Sequence, residues 1–243
     1  MNEQEEIIKK FDWDYLIILD ACRVDEFEKY NNIKGKYKRV ETPKGDTPAW
    51  CNYMFPDKYD ISLYTANPIH DTYKKYIAKN HFKEVIEIWD KEWDEERKTV
   101  LPEKVYEYSK NANSKSIIWF LQPHLPAISL KDKDVWSINY DMFEKIENGE
   151  ISEEKLKQIH FDNTEEVFPI VKNLVDYILN KNKDAKIIIT SDHGDMLGEI
   201  YTIENGVPKK GWLHGLGNGD EPYAKYKPYF LYNVPLLKIG YDK

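Results

Sequence analysis

Lys186-Ile187-Ile188-Ile189-Thr190-Ser191-Asp192-His193-Gly194 is the stretch on which the fold class turns. Three successive isoleucines are β-branched and stiff at χ1, so they favour an extended strand. Their hydrophobicity is continuous rather than alternating. That pattern predicts a strand covered on both faces, as in a parallel sheet flanked by helices. The run passes without a spacer into Ser191-Asp192-His193-Gly194. In an open α/β sheet, ligands bind outside the carboxyl ends of the strands.

Working outward, the same grammar recurs twice. Tyr15 to Leu19 (YLIIL) ends at Asp20, and Ser116 to Leu121 (SIIWFL) runs into Gln122-Pro123-His124. Tyr37 to Thr42 and Asp60 to Thr65 are further strand candidates. Between them, Arg23 to Tyr30 reads as a helix, and Pro43 to Asp46 as a turn. Thr47-Pro48 reads as a helix start, with Thr47 as the cap. Asn163 to Leu179 carries Val167, Ile170, Val171, Leu174, Val175 and Ile178 at helical spacing, which predicts an amphipathic helix. Trp89 to Tyr108 is charged and helical in pattern, and Lys131 to Lys157 reads as a peripheral insertion or helix pair. Strands alternating with helices imply an α/β fold: a mostly parallel central sheet with helices on both faces. The absence of repeats and low-complexity linkers makes residues 1–243 one expected domain.

Composition narrows the function. Hydrophobic residues make up 41% of the 243, enough for a sizeable core. A net charge of -8 argues against a nucleic-acid-binding surface. It leaves an anionic substrate open, because a bound cation can reverse the local field. Cys22 and Cys51 make no disulfide framework and are expected to be reduced thiols. No apolar run approaches the roughly 20 residues of a membrane span, and the expectation is a soluble, cytoplasmic chain. No Walker loop or dinucleotide fingerprint is present.

Three buried strands thus deliver Asp20, His124 and Asp192-His193 to one end of a sheet. Two carboxylates and an imidazole suit a divalent cation such as zinc or manganese. Each residue also has a plainer reading. Asp20 could cap the helix near Arg23, Asp192 could mark a strand end, and a lone His193 is more often structural. His70, His81 and His160 fall outside these motifs and carry no assigned chemistry.

Leu16 to Phe27 (LIILDACRVDEF) together with Thr190 to Glu199 (TSDHGDMLGE) resembles the alkaline-phosphatase and sulfatase superfamily, most closely its archaeal sulfatase-like proteins. Phe120 to Pro126 is similar to the family's His-x-Pro segment, Trp212-Leu213-His214-Gly215 to its late histidine, and Val234-Pro235 to its Val-Pro segment. The resemblance implies an alkaline-phosphatase-like fold and a metal held by Asp20, Asp192 and His193. It implies a nucleophile at the helix start after the second strand, which is Thr47, also a metal ligand, with Thr42 as the fallback. The metal would be zinc, manganese, magnesium or calcium. One site is favoured, because Gln122-Pro123 stands where a second site would want an Asp. Arg23, His124 and His214 would then contact the substrate anion or protonate the leaving oxygen. Neither Cys22 (followed by Arg-Val-Asp-Glu) nor Cys51 (followed by Asn-Tyr-Met-Phe) fits the formylglycine motif of true sulfatases. The implied function is therefore a metal-dependent hydrolase or transferase of phosphate esters, on a small-molecule, glycan-linked or lipid-linked substrate. The alternatives are sulfuric ester hydrolysis and a catalytically degenerate anion- or glycan-binding member.

Overall fold

The structure, a computed structural model, describes residues 2–68, 81–131, 145–146, 148–213 and 223–241. Its elements run α1 (Glu3–Ile8), β1 (Tyr15–Leu19), α2 (Val24–Tyr30), β2 (Lys36–Glu41), α3 (Thr47–Met54), β3 (Tyr59–Thr65), β4 (Phe82–Glu87), α4 (Ile88–Glu92), β5 (Trp93–Asp94), β6 (Thr99–Val100), α5 (Pro102–Ser109), β7 (Ser116–Phe120), α6 (Glu153–Lys181), β8 (Ile187–Thr190), β9 (Met196–Glu204), β10 (Val207–Leu213), α7 (Tyr229–Tyr232) and β11 (Asn233–Ile239).

Seven described strands form one sheet in the order β2-β11-β8-β1-β7-β3-β4. The two apolar strands that carry the Asp20 and Asp192-His193 motifs are neighbours: β1 lies parallel to β8, with Leu16 opposite Ile188, and parallel to β7 on its other side. β3 continues the parallel set between β7 and β4. β11 runs antiparallel to both β8 and β2. Continuous hydrophobicity is explained by burial on both faces. Ile17, Leu19, Ile118, Phe120, Ile187 and Ile189 pack with Phe27 of α2, Val105 of α5 and the apolar stripe of α6. Leu16, Ile18, Ile117, Trp119 and Ile188 pack on the opposite side against Ile7 and Ile8 of α1 and Trp50, Cys51 and Met54 of α3. The fold is thus α/β with a mostly parallel sheet and helices on both faces.

Several details differ from the sequence reading. α6 begins at Glu153 under a Ser152 cap and continues through an internal Pro169. The charged stretch from Trp89 to Tyr108 splits into α4, the β5–β6 pair and α5. β4, β11 and the β9–β10 hairpin were not anticipated. The hairpin turns on Asn205 and Gly206, whose φ values of 51° and 78° suit a tight primed turn. β11 was hidden by Pro235, which argues against an interior strand; its ladder with β8 begins one residue later, at Leu236. Most of the Lys131–Lys157 segment lies outside the described residues. Cys22 and Cys51 are both free and buried, and no described helix is long and apolar enough to cross a membrane.

Candidate active site

β1 and β8 end side by side, so Asp20 and Asp192 meet without any long-range coincidence. The turn after β1 is tight: Ala21 has φ 58°, a left-handed conformation that costs a non-glycine residue about 1–2 kcal/mol. That conformation accompanies a hydrogen bond from the Ala21 N–H to Asp192 Oδ1 at 3.2 Å. Ser191 joins the two strand ends as well. Its hydroxyl lies 2.6 Å from Leu19 O and 2.5 Å from His193 O, and accepts from the Cys22 N–H at 2.8 Å. Gly194 is required by close approach rather than by φ, since a Cβ there would lie 1.9 Å from Phe230 O.

Asp20, Asp192 and His193 offer ligand atoms that all lie within 4.8 Å of one another, and all three are buried. Asp20 is held asymmetrically. Its Oδ2 accepts from Asn67 Nδ2 at 2.5 Å and from Trp119 Nε1 at 3.1 Å. Its Oδ1, equally buried, accepts no hydrogen bond among the described residues. A buried carboxylate oxygen without a partner is costly. Burial foremost, and then the neighbouring Asp192, push the Asp20 carboxyl well above the usual carboxylate range. His193 Nδ1 lies 2.8 Å from Gly194 O, an acceptor only, which assigns the hydrogen to Nδ1. Nε2 is thereby directed at Thr47 Oγ1 (3.2 Å), Asp192 Oδ2 (3.4 Å) and Asp20 Oδ1 (3.8 Å). Oxygens and a ring nitrogen converging this way call for positive charge between them. A divalent cation fits the donor set, and the Nδ1–carbonyl contact is the kind that orients a metal-ligating imidazole.

Thr47 completes the group. The sequence reading made it the helix cap; the structure corrects this. Asp46 is the N-cap of α3, accepting from the Ala49 N–H at 2.9 Å. The Thr47 hydroxyl is therefore released from capping and donates to Asp192 Oδ2 at 2.6 Å. Thr42, the fallback, donates to the backbone oxygen of Asp192 at 2.5 Å, so its hydroxyl is engaged with main chain rather than with the ligand side chains.

The substrate-binding candidates are placed differently. Arg23 is only 2% exposed, and its donors meet groups of the protein itself. It pairs bidentately with Asp25 at 3.0 and 2.8 Å, and its Nη1 lies 2.9 Å from both Glu199 Oε1 and Asp195 O. His124 is half-buried on the loop after β7, its N–H donating to Asp20 O at 3.0 Å. His214 lies outside the described residues.

Sequence reasoning missed Asn67, Trp119 and Ser191, which orient the ligands. It also missed a second buried cluster in which His160 of α6 sits between Glu26 and Asp195. Asn67 and Trp119 had a signal, since both lie at carboxyl ends of sheet strands; His160 had none.

No protein-family model matches the chain, and no curated protein matches it. Solved structures do. The integral membrane lipooligosaccharide phosphoethanolamine transferase A (EptA) from Neisseria meningitidis matches 92% of this chain at 14% identity and a TM-score of 0.53, and this chain spans only 46% of it. The zinc complex of the C-terminal periplasmic domain of EptC from Escherichia coli matches 92% of this chain and 71% of that one, at 12% identity and a TM-score of 0.55. The Streptococcus pyogenes phosphoglycerol transferase GacH, in complex with sn-glycerol-1-phosphate, matches 97% of this chain and 71% of that one, at 10% identity and a TM-score of 0.50. At such identities the likeness is one of architecture: the chain shares the α/β fold of these transferases.

Proposed function

We propose that the chain is a metal-dependent enzyme that transfers or hydrolyses phosphate esters through Thr47. The observation that carries this reading is the 2.6 Å contact between Thr47 Oγ1 and Asp192 Oδ2 beside Asp20 and His193, at the carboxyl ends of β1 and β8. Asp20 Oδ1, Asp192 Oδ2, His193 Nε2 and Thr47 Oγ1 would hold the cation. Such a cation supplies charge that lowers the hydroxyl pKa and offsets the charge on phosphoryl oxygens.

The residues then divide the work. With Nε2 of His193 committed to the cation, Asp192 Oδ2, which keeps a second lone pair, would accept the Thr47 hydroxyl hydrogen at 2.6 Å. Thr47 Oγ1 attacks phosphorus in line: the Oγ1–P bond forms, and the bond to the departing alcohol oxygen breaks with its electron pair. His124 is assigned to the substrate, donating a proton to that oxygen, and His214 is assigned to the substrate anion. A second hydroxyl then attacks the phosphothreonine and regenerates Thr47. Water gives hydrolysis; an alcohol gives transfer. Phosphoethanolamine and phosphoglycerol transferases share the fold, which supports transfer of a phospho-alcohol on a lipid- or glycan-linked substrate. The lack of a formylglycine motif supports phosphate over sulfate.

The test is a metal-analysed preparation screened against aryl phosphate monoesters, aryl phosphate diesters and an aryl sulfate. Turnover of a phosphate ester that needs added divalent metal and disappears in Thr47→Ala is expected. Turnover of the sulfate alone would contradict the assignment.

A further inference from the structure

α6 presents three buried polar residues one helical turn apart: His160, Asn163 and Thr164. Such a face on a helix otherwise packed in the core is expensive unless every group is paired. Each is paired, and each partner lies in a segment that carries a site residue. His160 Nδ1 is 2.7 Å from Glu26 Oε1, six positions after Asp20, and its Nε2 is 3.3 Å from Asp195 Oδ2, two positions after His193. Thr164 Oγ1 donates to Glu26 Oε2 at 3.0 Å. Asn163 Nδ2 donates to Pro126 O at 2.9 Å and lies 3.4 Å from His124 O, while its Oδ1 accepts from the Ile128 N–H at 2.9 Å. One helix face therefore grips α2, which follows β1, and the loops that follow β7 and β8.

We propose that His160 is a positioning residue for the metal-ligand set, locking the Asp20 segment to the Asp192-His193 segment through its paired contacts with Glu26 and Asp195. The inference rests on the metal reading of Asp20, Asp192 and His193. Without the imidazole, two buried carboxylates would face each other, and the two strand-end loops would lose their only shared side-chain anchor on α6 among the described residues. Ligand spacing across those loops would loosen. Groups that hydrogen-bond a metal ligand directly change affinity about 10–100-fold when removed; His160 acts one contact further out, so the low end of that range is expected.

The experiment measures zinc affinity of the stripped full chain by competition with a chromogenic chelator, for wild type, His160→Gln and Leu174→Ala. Leu174 is a fully buried core residue of the same helix. Its truncation matches the loss of stability without touching the anchor. The expected result is one zinc site in wild type, affinity reduced at least about tenfold in His160→Gln, and unchanged affinity in folded Leu174→Ala. If His160→Gln does not fold, Thr164→Val, which removes the second contact to Glu26 together with the Oγ1 contact to the His160 backbone oxygen at 3.0 Å, should weaken zinc binding in the same direction. Folded His160→Gln (or, in its place, Thr164→Val) binding zinc like wild type overturns the proposal alone, as does an equal loss in Leu174→Ala. A wild type that takes up no zinc overturns the metal reading and this proposal with it.

Discussion

Two buried groups of carboxylates and histidine share chain segments, with Asp195 two residues after His193 and Glu26 six after Asp20, and they differ in whether the protein answers their charge. In the outer group, Asp20, Asp192 and His193 converge while Asp20 Oδ1 accepts no described hydrogen bond. In the inner group, Glu26 and Asp195 close on both nitrogens of His160. Burial alone would push the His160 pKa down, but Glu26 and Asp195 together push it up to about 10. The inner group carries its own cation, and on the proposed reading the outer group takes one from outside. Similar side chains would thus serve as an anchor in one place and a binding site in the other.

The sharpest way to break that contrast is the nucleophile. Thr47→Ala should reduce phosphate-ester turnover by on the order of 1,000-fold or more, since the other hydroxyl near Asp192, Ser191 Oγ at 3.4 Å from Oδ1, is engaged with the backbone oxygens of Leu19 and His193. Stability should change by only about 1 kcal/mol, because Asp46 rather than Thr47 caps α3. Thr47→Ser should keep part of the activity in the same assay. Wild-type turnover in Thr47→Ala would leave Thr47 a bystander.

Neutralising one carboxylate in each group should give opposite signs. Glu26→Gln should destabilise by about 3–5 kcal/mol in denaturant unfolding, because it breaks a buried pair from one side. Asp20→Asn should stabilise the metal-free protein by about 1 kcal/mol. Its new amide N–H would take the place of Oδ1 facing His193 Nε2 and the Asp192 carboxylate. The same substitution should nearly abolish metal uptake. Destabilisation by both changes would erase the distinction.

How much of this was legible in the sequence follows from how local each signal is. β1 and β7, with β8, showed because continuous apolar runs need no partner information. The turn residues after them then fell together because parallel strands end on one side. Asp20, Asp192 and His193 came with those strands, and Thr47 came with the turn before α3. The strand ends grouped Asp20, Asp192 and His193; the resemblance supplied the role expected of Thr47. The burial of Arg23 was not legible because, while Asp25 is two residues away in the chain, Glu199 reaches it only after folding. His160 was invisible for the same reason: a histidine on an apolar helix looks alike whether it packs or anchors. β11 was obscured by Pro235, and the hairpin by passing over Asn205-Gly206, a turn signal that was present.

A smaller effect separates the groups by pH. Asp20 and His160 both have raised folded-state pKa values, so each contribution to stability is present at low pH and lost as pH rises. For Asp20 the decline starts near the usual carboxylate value and continues to its raised folded value. For His160 it runs from about 6.5 to about 10. Saturating divalent metal should remove the Asp20 decline and leave the His160 decline intact in thermal melts. Metal that flattened both windows, or neither, would show the groups to be one network. At a free concentration 100 times Kd the metal itself should add about 2.7 kcal/mol.

The smallest expected change is at Ala21, held at φ 58° where β1 meets the site. Ala21→Gly relieves left-handed strain but adds unfolded-state freedom, so its net effect on unfolding should be within about 1 kcal/mol, with metal affinity retained. A large loss of affinity would mean that the Ala21 methyl group, rather than the turn, positions Asp192.

The most direct measurement is a crystal structure of the zinc- or manganese-loaded protein with anomalous scattering recorded at the metal edge. The account predicts one anomalous peak about 2.0–2.3 Å from Asp20 Oδ1, Asp192 Oδ2, His193 Nε2 and Thr47 Oγ1. A loaded crystal with no peak there, or with the cation held between Glu26 and Asp195 instead, would contradict it.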